Sequence, residues 1–170
     1  MLRVLGLALL LFATTTIAEV RDVQTYFFQP KLGDFKSELQ TARKEGKTGV
    51  LIMFQMADCP FCERMKSTVL NQSEVQDYYR KHFLVFEMDV KGDTPMVDFK
   101  GVNTTEKDFA LKNRARATPT FLFFDTHGDL ITRYIGVTKD ANEFLLLGRY
   151  VVDGVYKDKP FAAYKQQAQQ

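Results

Sequence analysis

The stretch that most constrains this chain is a five-residue apolar run, Val50-Leu51-Ile52-Met53-Phe54, followed closely by Cys59-Pro60-Phe61-Cys62. A continuous apolar run of strand length reads as a strand buried on both faces. The residues after Cys62 read as a helix reaching to about Leu70. Both cysteines of the chain lie in the turn between strand and helix, a placement suited to moving two electrons between thiols and disulfides. A bridge between them would close a loop holding only Pro60 and Phe61. Such a loop constrains little unfolded chain, so a structural purpose gains little and redox work is favoured. A zinc site needs four ligands, and the cysteines supply two. His82 and His127 have no ligand spacing, so neither a metal site nor a cofactor is expected.

The N-terminus bears on where that chemistry happens. Arg3 gives a positive start, Val4 to Ala13 a short apolar core, and Thr16-Ile17-Ala18 small residues at the cleavage positions. This pattern predicts a signal peptide over residues 1–18, cut after Ala18. Its apolar core is shorter than the ~20 residues needed to span a bilayer. Export to an oxidising compartment permits a disulfide, and the absence of an endoplasmic-reticulum retention signal favours a bacterial periplasm. Residues 19–170 are expected to form one domain, which at 45% apolar residues can bury a core. The net charge of +2 comes without a dense Lys/Arg run, so nucleic acid is not an expected partner.

Along the mature chain, Tyr26-Phe27-Phe28 reads as an edge strand or a packed arm. Asp34 caps a helix through Lys44, with Phe35, Leu39 and Ala42 on one face and Gly46 just past its end. Ser73 and Gln76 suggest a capping box opening a helix that carries Val75, Tyr78, Tyr79 and His82. Phe83 to Val90 reads as a second buried strand. Residues 91–113 form an insertion: a small hairpin or loop with Asp89, Asp93 and Asp98 in solvent, then a helix from Thr105 to Asn113 with Phe109 and Leu111 inward. Phe121 to Phe124 and Leu130 to Ile135 read as a hairpin around Asp125–Asp129. Asp140 to Val152 reads as an amphipathic helix burying Phe144, Leu145, Leu147 and Val151. The tail, from about residue 155, is expected to fray at its Gln-rich end.

In that order, three segments carry a resemblance: Cys59-Pro60-Phe61-Cys62 after a buried strand, Ala117-Thr118-Pro119-Thr120 before the next-to-last strand, and Tyr134-Ile135-Gly136-Val137 before the last large helix. From Asp34 to Val152 the chain resembles the thioredoxin family, and more narrowly exported bacterial thioredoxins of the sulfur-oxidation type. The resemblance implies an α/β fold with a central mixed sheet and helices on both faces. It implies that Cys59 is the nucleophile and Cys62 the resolving thiol. Pro60, Phe61 and a cis Pro119 would support the site, with Thr118 and Gly136 along a groove for protein or peptide thiols and disulfides. A membrane protein is the expected electron donor. Three readings stay open: a reductase, an oxidase or isomerase, and a peptide-binding module without turnover.

The departures from the family pattern are local. Met53 stands where many thioredoxins bury an Asp, so the proton acceptor for Cys62 is expected to be Glu63, Asp58 or water. Asp58 stands where Trp is usual, and the chain has no Trp. Asp58 opposes a thiolate at Cys59, and Arg64 and Lys66 are expected to offset it in part.

Overall fold

The computed structural model describes residues 19–168, and the expected leader at 1–18 lies outside them. Among the described residues, β1 (Gly49–Gln55), β2 (Phe83–Asp89), β5 (Thr120–Asp125) and β6 (Leu130–Ile135) form a mixed sheet in the order β2-β1-β5-β6. β1 runs parallel to β2 and antiparallel to β5, and β5 pairs antiparallel with β6. Successive strand residues point to opposite faces, and both faces of the two central strands are covered. Leu51, Met53, Phe121 and Phe123 enter one core, and Val50, Ile52, Phe54, Leu122 and Phe124 enter the other. That two-sided burial is why Val50 to Phe54 is apolar throughout. Gly49 begins β1 where a Cβ would overlap the Phe124 carbonyl oxygen of the neighbouring strand.

The first face carries α3 (Pro60–Met65), α4 (Ser73–His82) and α6 (Ala141–Val152), and the second carries α2 (Phe35–Lys44) and α5 (Glu106–Lys112). Asp34 caps α2 as expected, its carboxylate accepting from Ser37 N–H, and Phe35, Leu39 and Ala42 are buried. α3 continues to Leu70, but Lys66–Leu70 is π-helical. Thr68 Oγ1 donates to the Arg64 carbonyl at 2.7 Å, and this side-chain competition for the backbone acceptor accompanies the wider turn.

The expected capping box at Ser73 does not form. Ser73 is the first helical residue, and Gln72 precedes it with no side-chain cap. Gln76 is buried instead, where its Nε2 donates to the Leu70 and Arg21 carbonyls and ties α4 to the N-terminal arm. That arm holds the short α1 (Val23–Tyr26) with Phe27 and Phe28 buried beyond it, so it is a packed arm rather than a strand. Gln29 N–H donates to Val85 O at 2.8 Å, and the Gln29 side-chain oxygen accepts from Val85 N–H. Both main-chain groups of this β2 residue are thereby paired on the strand's outer side.

The insertion is ordered. β3 (Pro95–Val97) and β4 (Asn103–Thr105) form an antiparallel hairpin, and Thr105 caps α5. Asp98 is buried rather than in solvent. Its Oδ1 accepts from the N–H groups of Lys100 and Val102, and its Oδ2 pairs with Lys112 Nζ at 2.7 Å. A tight polypeptide turn wrapped around one carboxylate needs that carboxylate inside. Phe109 is buried, but Leu111 faces out at 53% exposed, because only one stripe of so short a helix meets the sheet. The residues after α6 continue in regular structure as far as Ala168, and the last two residues of the Gln-rich end lie outside the described residues. After a 3₁₀ turn at Val155–Lys157, α7 (Phe161–Ala168) packs back on α6 through Phe161 and Tyr164 against Tyr150.

Candidate functional site: the dithiol turn

The turn from β1 to α3 places the two cysteines by simple helix chemistry. Asp58 takes a left-handed conformation, φ +56°, and reverses the chain. Cys59 then sits at the N-cap of α3, with Pro60 at the first helical position, where its fixed φ fits and a missing N–H costs nothing. Cys62 follows one turn along, its Cα 5.2 Å from that of Cys59, and the two sulfurs are joined in a disulfide. Cys59 Sγ accepts from Cys62 N–H at 3.1 Å, one of the free donors at the start of a helix. Both cysteines are buried, Cys62 at 1% and Cys59 at 4% exposed.

The opposite wall comes from the loop before β5. The Thr118–Pro119 peptide bond is cis. Thr118 Oγ1 donates to Cys59 Sγ at 3.2 Å, a contact the sequence reading did not assign. The main-chain N–H and C=O of Thr118 make no hydrogen bond within the described residues. Gly136 N–H donates to Pro119 O at 2.8 Å, which holds the end of β6 against this loop. Gly136 itself has φ +96° and open space where a Cβ would point. Phe61 and Ile135 are exposed at 60% and 56%. The structure thus brings Cys59, Cys62, Thr118, Pro119 and Gly136 together, with Pro60 and Phe61 exposed on the turn.

The charged residues near the site fall differently from expectation. Neither the Asp58 nor the Glu63 carboxylate hydrogen-bonds a cysteine, although Glu63 N–H donates to the Cys59 carbonyl at 3.1 Å; Asp58 is exposed, and the Glu63 carboxylate faces Lys66 at 3.6 Å. Lys66 Nζ lies 2.6 Å from Glu87 Oε1, a close ion pair whose angles are poor for a hydrogen bond. Glu87 Oε2 accepts from Gln24 Nε2 of the N-terminal arm. In the sheet register Glu87 is the neighbour of Met53, so a carboxylate stands next to that position on β2. Lys66 is engaged there and is not a free cation for Cys59. This pair was hidden in the sequence because its partners lie on a helix and a strand whose register only the sheet reveals.

On the first face, Met53, Met65 and both cysteines belong to the same apolar core, and Thr138 Oγ1 lies 3.8 Å from Met65 Sδ. The arrangement can do one kind of chemistry well. A sulfur at a helix start, with two neutral donors and a second sulfur one turn away, can form and break disulfides in sequence.

Solved structures share this architecture. A thioredoxin-fold protein from Helicobacter pylori superposes with a TM-score of 0.61 at 23% identity, covering 69% of this chain and 82% of that one. A putative disulphide-isomerase from Bacteroides thetaiotaomicron gives 0.56 at 25% identity, covering 74% and 93%. A thioredoxin from Thermus thermophilus gives 0.54 at 25% identity, covering 79% and 88%. No curated protein sequence matches the chain. Residues 35–152 match the family described as the thioredoxin-like domain, a span from the first residue of α2 to the last of α6. The dithiol turn, the cis-proline loop and the sheet that joins them all fall inside that span, and the chain belongs to the thioredoxin-like family.

Proposed function

We propose that this protein is an exported thiol–disulfide oxidoreductase that reduces disulfides in proteins or peptides. The observation that carries the proposal is the setting of Cys59 Sγ, bonded to Cys62 and held by Cys62 N–H and Thr118 O–H beside an unpaired main-chain edge. In the dithiol state the Cys59 thiolate attacks one sulfur of a substrate disulfide. That S–S bond breaks, the first substrate sulfur leaves as a thiolate and takes up a proton, and a mixed disulfide remains. Cys62 loses its proton and attacks Cys59 Sγ, releasing the second substrate thiol and leaving the Cys59–Cys62 disulfide. Two electrons pass to substrate per cycle, and a dithiol donor must return them. A membrane protein is the donor we propose, since an exported enzyme is cut off from cytoplasmic reductants.

Our reading of the direction rests on the charges around Cys59. Strong oxidants in this chemistry owe their potential to a stabilised reduced form. Here the donors to Cys59 Sγ are neutral, no histidine stands between the cysteines, and Lys66 is paired with Glu87. That setting favours a reductant. Similarity to a thioredoxin and to a putative disulphide isomerase supports dithiol exchange and is neutral on direction. Export rests on the leader-like residues 1–18, and among the described residues no helix is long and apolar enough to cross a membrane.

The test is equilibration of the Cys59/Cys62 pair with glutathione, together with reduction of insulin disulfides. A potential near thioredoxin's, about −270 mV, supports a reductase; one near about −120 mV would reverse the direction. Cys59→Ser is expected to abolish insulin reduction, and Cys62→Ser to accumulate the mixed disulfide. A wild-type protein without a measurable dithiol couple would remove the oxidoreductase reading altogether.

A further inference from the structure

The family match ends at Val152, but the chain beyond it folds back toward the groove. Phe161 of α7 packs edge-on against Tyr134 of β6, with ring centroids 6.0 Å apart. Lys165 of α7 pairs with Glu143 at 2.8 Å, and the Glu143 side chain is only 10% exposed. Both contacted residues act on the segment from Gly136 to Lys139. Tyr134 Oη lies 3.4 Å from the Val137 carbonyl oxygen and 3.3 Å from Glu143 Oε1. Glu143 Oε2 accepts from Lys139 N–H at 3.0 Å, while Asp140 caps α6 by accepting from Glu143 N–H. The near end of the segment is fixed to the site itself, since Gly136 N–H donates to Pro119 O.

We infer that α7 is a positioning strap for the substrate groove: through Phe161 and Lys165 it holds Tyr134 and Glu143, which set the Gly136–Lys139 wall facing an extended peptide. The inference rests on the reading of Cys59 as the nucleophile toward peptide disulfides. The open space over Gly136, with Ile135 exposed beside it, is where peptide flanking the target sulfur would lie. A small disulfide reaches Cys59 without touching that wall. The strap therefore bears on peptide capture and leaves sulfur exchange alone. Lys165 and Phe161 are positioning residues and touch neither sulfur.

Two measurements on Lys165→Met and Phe161→Ala test this. The first is amide hydrogen exchange, which needs no activity. Lys139 N–H is expected to exchange about tenfold faster in both variants, with β1 and β5 unchanged. Unchanged protection at Lys139 would overturn the strap. The second is steady-state reduction of a cystine-bridged peptide against reduction of hydroxyethyl disulfide. KM for the peptide is expected to rise about fivefold at constant kcat, with the small disulfide unaffected. Lys165→Arg, which keeps the ion pair, is expected to restore peptide KM. Equal losses with both substrates would mean that α7 only stabilises the fold, and would also overturn the inference. If the wild-type protein reduces neither substrate, the oxidoreductase reading fails, while the exchange measurement still decides whether α7 holds the wall.

Discussion

The hydroxyl of Thr118 donates to the sulfur of Cys59 across 3.2 Å, so the residue before the cis-proline touches the reacting atom directly. When the disulfide is reduced the same hydroxyl faces a thiolate, and a hydrogen bond to a charged acceptor is worth more than one to a neutral sulfur. Thr118→Val keeps the branched shape and removes the donor. Loss of about 1 kcal/mol from the thiolate is expected to slow attack at neutral pH about fivefold. Where the thiolate predominates, at alkaline pH, the same loss destabilises the reduced form, and the reduction potential there is expected to fall by about 20 mV. Thr118→Ser is expected to keep both values near wild type. Stopped-flow kinetics and glutathione titration check the pair, and a potential that rises in the valine variant would contradict the argument.

The position that holds an acid in many relatives cannot simply be restored here. Met53 is fully buried, and its β2 neighbour Glu87 already carries a negative charge paired with Lys66. Met53→Asp is expected to cost about 3 kcal/mol or more, from burying a second carboxylate beside the first. Adding Glu87→Gln releases Lys66 to the new carboxylate and is expected to recover about 1 kcal/mol. Urea unfolding of the two single variants and the double variant gives the coupling directly. Additive losses would show that the two positions do not interact.

Acid should loosen the inserted hairpin. Burial pushes the Asp98 carboxyl up, but Lys112 and the N–H groups of Val102 and Lys100 outweigh it and hold it below the ordinary range. A carboxyl whose folded value is depressed adds stability that is full above its unfolded value, about 3.9, and is lost as pH falls through the folded one. Asp98→Asn leaves an amide facing the Lys112 ammonium and is expected to cost about 2 kcal/mol at pH 7. That gap should narrow between pH 4 and pH 2 as the wild type gives up the same interaction. Denaturant midpoints across this range decide it, and a gap independent of pH would exclude the ionised carboxylate as the cause.

Gly49→Ala tests the close approach of β1 to β5. A methyl group there would meet the Phe124 carbonyl oxygen, with Phe124 C and Asp125 Cα close behind, and these are backbone atoms that cannot swing aside. A loss of about 3 kcal/mol is expected, at the upper end for overpacking. A thermal midpoint close to wild type would show that the strands can part at this end.

Local chemistry was legible in the sequence wherever neighbours along the chain decide it. Asp34 reads as a cap because its target is Ser37, three residues on. Val50 to Phe54 reads as a central strand because both faces are covered. Cys59 reads as a helix start because Pro60 follows it. The misreadings share one cause, a partner far along the chain. Gln76 matched a local capping pattern but spends its amide on Leu70 and Arg21. Asp98 looked like a loop acid until Lys112 and the turn amides closed on it. The docking of Phe161 and Lys165 gave no local signal because their contacts, Tyr134, Glu143 and Tyr150, lie on β6 and α6. Lys66 looked free because Glu87 comes to it through the strand register.

The pairing of Gln29 with Val85 has a consequence in time as well as in space. The two residues are 56 positions apart, so this contact closes a long loop and is slow to form. Until then the outer side of β2 offers unpaired main-chain groups to any other chain, the hazard of every exposed sheet edge. In the order of the chain the amino-terminal arm is made early and binds late. Its residues therefore act as a guard that arrives before the border it protects exists. Loss of Gln29 would be felt as aggregation during refolding more than as a lower midpoint at equilibrium.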